Sequence, residues 1–214
     1  MLRELQRALE IIYGVSAPQP VEDFLVGPAA LEGLGVQVRS KEELLVLPGS
    51  EALEVGLFLS PEVLARLPEL SCEGGTSLLG ELLPSFACAA EGVSHFVYLT
   101  VQAMRERRVT LAELEAQAEV DKFATGVLHL WKHGERNRSA QLRERLYDRV
   151  GYREDLSAEE RHRYGLANRL GRRYASFLES RFVLQGRLEG LLAELRLTWR
   201  LPGEDKFARL FAGG

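Results

Sequence analysis

Two segments of this chain place acids, histidines and a lysine at helical spacing. Glu91, His95, Tyr98 and Gln102 fall at offsets of 0, 4, 7 and 11, and Glu115, Glu119, Lys122, His129 and His133 follow a similar progression. Each residue turns a helix by about 100°, so these offsets keep the side chains on one face. Two chemistries suit such residues. One is acid–base catalysis by Glu91, His95, Tyr98, Glu119 and Lys122. The other is ligation of a divalent metal by Glu91, His95, Glu115 and Glu119.

The spacing also argues against a ready-made metal motif. Di-iron bundles use E-x-x-H, whereas Glu91 and His95 are four residues apart. At 1.5 Å per residue, the stripe from Glu115 to His133 extends about 27 Å, too far for one centre. The expectation is therefore a hydrogen-bonded Glu/His/Lys/Tyr network that fixes helix register, with a site between the helices as the alternative. His129 and His133 form H-x-x-x-H without the glutamate of the metalloprotease motif, and are read as imidazoles at the carbonyl end of a helix.

Other motifs stop short. Gly74-Gly75-Thr76-Ser77 lacks the Gly-Lys of a phosphate loop, and in Gly92-Val93-Ser94-His95 the second glycine of a nucleophile elbow is replaced by Phe96. Cys72 and Cys88 supply neither a disulfide framework nor a thiolate zinc site.

The elements that must position the stripes are two long helices, 84–107 and 111–133. Thr110 and Glu113 form a capping box at the start of the second, with Val109 and Leu114 as a hydrophobic staple. The tight connection makes the pair antiparallel. That places Gln102 near Glu115, Tyr98 near Glu119, His95 near Lys122 and Glu91 near Gly126, where the absent side chain leaves room. Glu113, Gln117, Asp121 and Lys132 share the opposite face of the second helix, which is read as its solvent side.

Upstream, a helix over 2–13 stops at Gly14, and 21–26 is a short strand or a helical turn. Strands at 44–47 and 53–59 flank a Pro48-Gly49-Ser50 turn, and 36–39 is read as a third strand. Ser60-Pro61-Glu62 opens a short helix to about Leu67, and a loop of small residues covers 71–77. Downstream come a helix over 138–150 and a capping box at Ser157 and Glu160. That box opens a helical stretch to about Arg200, where Gly165, Gly171, Gly186 and Gly190 act as breaks, kinks or points of close approach. Pro202-Gly203 is a stop before a short helical tail. The fold class expected is α+β, predominantly α, with a small N-terminal β-hairpin or sheet packed on a four- to five-helix bundle. The organisation is a mixed part over 1–70 and a bundle over 71–214, either separate or continuous.

Hydrophobic residues at 46% and charged residues at 27% of 214 fit a globular chain and exclude general disorder. No apolar run approaches the roughly 20 residues needed to span a bilayer, and the N-terminal helix lacks the features of a signal peptide. The expectation is cytoplasmic location with no membrane partner. Residues 1–135 hold 10 Lys and Arg against 20 Asp and Glu, and residues 136–181 hold 12 Arg against 7 acids. Within the second group, Arg161, Arg169, Arg172 and Arg173, with Arg163, Tyr164 and Tyr174, lie in the stretch 157–181. That arginine-rich segment either pairs with the acidic body or binds nucleic acid, the less favoured partner in a chain of acidic balance. With no catalytic spacing, the leading functional expectation is a non-enzymatic module that binds a protein partner. The alternatives are a metal-dependent or acid–base enzyme at the Glu/His stripe and nucleic-acid binding by the arginine helix.

Overall fold

The computed structural model describes residues 1–48, 53–72 and 78–213. The architecture is α+β and predominantly α, with nine helices among the described residues and a two-stranded antiparallel sheet. In chain order the elements are α1 (Leu2–Tyr13), a 3-10 turn (Val21–Phe24), α2 (Pro28–Gly33), β1 (Glu42–Pro48), β2 (Leu53–Leu59) and α3 (Pro61–Cys72). Then follow α4 (Leu83–Met104), α5 (Leu111–Lys132), α6 (Ser139–Tyr147), α7 (Ala158–Leu178), a π turn (Glu179–Val183), α8 (Leu188–Arg200) and α9 (Gly203–Ala212). The turn residues at 49–52 and the loop residues 73–77 lie outside the described residues.

Helix α1 buries Leu2, Leu5, Leu9, Ile12 and Tyr13, a stripe at helical spacing, and packs it on α4, α5 and α8. It ends where Gly14 takes a left-handed φ of 61°, a conformation that costs glycine nothing. The hairpin pairs Leu44 with Leu57 and Val46 with Val55. Residues 36–39, expected as a third strand, join no sheet. Instead Leu25 bridges Leu57 in parallel, and the Val26 N–H donates to the Leu57 carbonyl at 2.9 Å. The unanticipated α2 turns the chain away directly afterwards, so 36–39 serves as the return path.

Helix α3 runs past Leu67 and through Pro68 to Cys72. Pro68 is exposed and lacks the N–H that would bond the Leu64 carbonyl, and the helix continues for four residues beyond it. The stretch from Ser157 does break: α7 gives way to the π turn, and Gly186 at φ 70° separates that turn from α8. Both capping boxes form. The Thr110 and Ser157 hydroxyls accept from the N–H of Glu113 and Glu160, and those carboxylates accept in return from the cap N–H groups.

Helix α5 is the hub of the molecule and packs against α1, α4, α6 and α7. This corrects the expected solvent face, because Glu113, Gln117 and Asp121 are all buried, Asp121 to 1% exposure, and only Lys132 reaches solvent. Tyr13 of α1 and Lys206 of α9 cover that side. A helix walled on several sides has no outward face for its polar residues, so they need partners inside. Around it, one apolar cluster runs from Leu2 to Leu210 and includes Phe96, Phe123, Tyr174 and Trp199. No helix among the described residues is long and apolar enough to cross a membrane.

Candidate functional site

Where the hairpin crosses α4, Gly92 lets the two touch. A Cβ there would meet Glu42 Cγ and Leu57 Cδ1 at 2.9 Å. This approach brings Glu42, the first residue of β1, onto the stripe of α4. His95 Nδ1 faces Glu42 Oε1 at 3.3 Å, and opposite an ionised carboxylate Nδ1 is the donor. The other ring nitrogen, Nε2, faces Glu115 Oε2 of α5 at 3.8 Å. That is beyond hydrogen-bond range, and Nε2 has no hydrogen-bond partner among the described residues although His95 is only 7% exposed. One oxygen of Glu91, one of Glu115 and a ring nitrogen of His95 lie within 4.8 Å of one another.

Two helical turns along α5 from Glu115, Lys122 bridges Glu91 at 3.1 Å and Glu119 at 3.0 Å. Glu119 has room because Gly171 of α7 lies over it, where a Cβ would stand 2.6 Å from Glu119 Cβ. The Tyr147 hydroxyl donates to the Glu119 carbonyl at 2.7 Å, tying α6 to the same turn. Arg163 of α7 completes the group, with Nε 3.7 Å from Glu115 Oε1.

The charges act on one another through a largely dry medium. Burial pulls His95 down, but the carboxylates of Glu42, Glu115 and Glu91 outweigh it and push the imidazole up to about 9. Burial raises Glu115 to about 7 against the attraction of His95. Burial likewise lifts Glu42 and Glu119. Glu91 is the exception: burial raises it, yet the Lys122 ammonium holds it below the usual carboxylate range.

This group forms the floor of a cleft of about 500 Å³, which Glu42, Glu91, His95 and Glu115 line from below and Arg163 and Tyr164 from the side. Glu42 and Glu91 also border a second opening of about 440 Å³ beside Lys122. The carboxylate layer therefore lies between two solvent-accessible hollows.

The structure thus brings together Glu91, His95, Glu115, Glu119 and Lys122 and separates Tyr98 from them. Tyr98 turns to the other side of the hairpin, where its hydroxyl accepts from Lys206 Nζ at 2.7 Å and its ring packs on Trp199. Gln102 is buried, and its amide nitrogen has no hydrogen-bond partner among the described residues. Glu91 does not face Gly126, whose open side is filled by Leu142. His129 and His133 pair with each other, ring centroids 4.7 Å apart, at the end of α5.

Arg161, Arg169, Arg172 and Arg173 are exposed on α7. Arg161 donates to the carbonyls of Arg153 and Glu154, Arg172 pairs with Asp148 at 2.6 Å, and Arg173 stacks over Phe211 at 4.4 Å. Asn168, on the same helix, is buried.

Sequence reasoning missed Glu42 and the inward turn of Arg163. It also missed a second buried network in which Lys206 Nζ donates to Gln117 Oε1 at 2.7 Å. There Gln117 Nε2 and Tyr13 donate to Asp121 Oδ1, and Ser94 donates to Asp121 Oδ2 at 2.6 Å. One signal was present. Of 27 basic residues only Lys41, Lys122, Lys132 and Lys206 are lysine, and two of these four hold the interior networks. Compared with family models, with curated proteins and with solved structures, the chain matches none of them.

Proposed function

We propose that the chain binds a divalent transition-metal ion at Glu91, His95 and Glu115 and is a metal-dependent enzyme acting in the adjoining cleft. The observation that carries this reading is the convergence of those three side chains at the cleft floor, with His95 Nε2 buried and lacking a hydrogen bond among the described residues. Glu42 strengthens it. Metal-bound imidazoles donate their other N–H to a carboxylate, which fixes the tautomer and the ring plane, and Nδ1 meets Glu42 in this way. Charge points the same way, since four carboxylates (Glu42, Glu91, Glu115 and Glu119) face two permanent cations, Lys122 and Arg163. To hold a cation His95 gives up the proton it carries at neutral pH, and the cation's charge then keeps the surrounding carboxylates ionised.

Ligand atoms about 2.1 Å from a shared ion stand about 3.4 Å apart in tetrahedral geometry, so the three side chains, now within 4.8 Å of one another, draw in by up to about 1.4 Å on binding. Three protein ligands leave positions open toward the cleft, where the ion activates water or polarises a bound group. Mixed carboxylate and imidazole donors suit Mn²⁺, Fe²⁺ or Zn²⁺.

A second reading, a closed ion lattice in a non-enzymatic protein, is favoured by Lys122, which answers Glu91 and Glu119 from within the chain. Calorimetric titration with Mn²⁺ and Zn²⁺ separates the two. The expected result is one equivalent bound by the native chain and none by Glu91→Gln or Glu115→Gln, both still unfolding cooperatively on heating. Absence of binding to the native chain, confirmed by equilibrium dialysis, overturns the metal reading.

A further inference from the structure

Beyond its floor the cleft is lined by three arginines, Arg39, Arg153 and Arg163, and by three acids, Glu43, Asp155 and Glu160. Arg163 enters from α7, with its guanidinium carbon 5.2 Å from the centre of the Tyr164 ring. Its Nε is buried and makes no hydrogen bond among the described residues, because Glu115 at 3.7 Å is an ion-pair neighbour only. Arg39, on the segment before β1, lines the same cleft, is exposed and has no ion pair among the described residues. A third arginine, Arg153, is held by Asp155 at 2.9 Å. Arg161 donates to the backbone carbonyls of Arg153 and Glu154, which pins the loop that closes this side. The cleft therefore sets guanidinium donors above a carboxylate–imidazole floor.

From this arrangement we infer that the cleft takes a phosphorylated small molecule whose phosphoryl group bridges the floor cation and the guanidinium groups of Arg163 and Arg39. The inference rests on the metal reading given above. Without a cation the floor repels an anion, and with one it offers an open coordination position below the arginines. A tetrahedral phosphoryl group has oxygens enough to meet the ion on one side and a planar guanidinium fork on the other. A volume of about 500 Å³ holds a ligand of nucleotide or sugar-phosphate size, and the polar lining favours such a ligand over an apolar one.

The test is calorimetric binding of inorganic phosphate to the native chain, with and without saturating Mn²⁺, and of oxalate as a planar dianion that any exposed Mn²⁺ would chelate. The expected result is phosphate binding only when Mn²⁺ is present, about tenfold weaker in Arg163→Gln and in Arg39→Gln. Arg39 is exposed and makes no ion pair with Glu91, His95 or Glu115, so Arg39→Gln should fold and keep its Mn²⁺ affinity even if Arg163→Gln does not fold. Mn²⁺ binding without phosphate binding overturns this inference and leaves the metal reading standing. So does phosphate binding indifferent to both arginine variants, or oxalate binding that alone survives. Phosphate binding of equal strength without Mn²⁺ overturns the bridging arrangement. Failure of Mn²⁺ itself to bind overturns the metal reading instead.

Discussion

His95 Nδ1 lies 3.3 Å from Oε1 of Glu42, a residue 53 positions earlier in the chain. This contact joins the β-hairpin to α4 and orients the imidazole so that Nε2 turns toward Glu115. It gives the hairpin a role that its two strands alone do not suggest: holding one ligand of the candidate centre.

If Glu42 orients His95, its removal should weaken the metal without abolishing it. Glu42→Gln should lower Mn²⁺ affinity about 10- to 100-fold, the usual effect of losing a carboxylate behind a ligating histidine. Titration of the variant measures this directly. An unchanged affinity would show that Nδ1 needs no partner.

Lys206, at 0% exposure, should make stability depend on pH in a defined direction. Burial lowers its pKa from 10.5 to about 7. Between those values the unfolded chain binds a proton that the native protein does not, so this residue's contribution rises with pH from about 7 to 10.5 and falls away below. His95 acts oppositely. Its raised value of about 9 gives stability that is full below 6.5 and lost as pH rises through 9. The two slopes offset one another in the native chain, so a variant is needed to separate them. Lys206→Met leaves Tyr98 and Gln117 without their donor, costing about 1–3 kcal/mol. Chemical denaturation should show that cost growing from pH 7 to pH 9.5. A cost independent of pH would contradict the assignment.

Two glycines of α7 should respond in opposite ways to alanine. At Gly171 a Cβ would stand 2.6 Å from Glu119 Cβ and 3.0 Å from the Tyr147 ring, so Gly171→Ala should destabilise by about 1–3 kcal/mol. At Gly165 it would meet only the mobile tip of Arg169 at 3.4 Å, so Gly165→Ala should stabilise by about 0.5–1 kcal/mol through helix propensity. Thermal unfolding of both variants checks the pair, and equal responses would contradict the packing.

What was legible in the sequence was local. The capping boxes at Thr110 and Ser157 need only three residues each, and the stop at Gly14 needs one. That Glu91 and His95 meet the polar stripe of α5 follows from an antiparallel hairpin of known turn position, although the exact partners do not. The faces of α5 were misread because the periodicity of Glu113, Gln117 and Asp121 marks one side of a helix without saying what covers it. The covering groups, Tyr13 and Lys206, are 108 and 85 residues from Asp121. Glu42 was hidden for the same reason. Its place depends on Gly92, on the register of β1 against β2 and on the route of residues 25–26, none of which a helical repeat records.

The central claim is that Glu91, His95 and Glu115 close on one cation. Crystals of the native chain grown with Mn²⁺ and measured for anomalous scattering test it most directly. The account predicts a single strong peak at the cleft floor, about 2.0–2.3 Å from His95 Nε2 and from one oxygen each of Glu91 and Glu115. No peak there at saturating Mn²⁺, with Nε2 hydrogen-bonded to Glu115 instead, would contradict it and leave the group as a structural ion lattice.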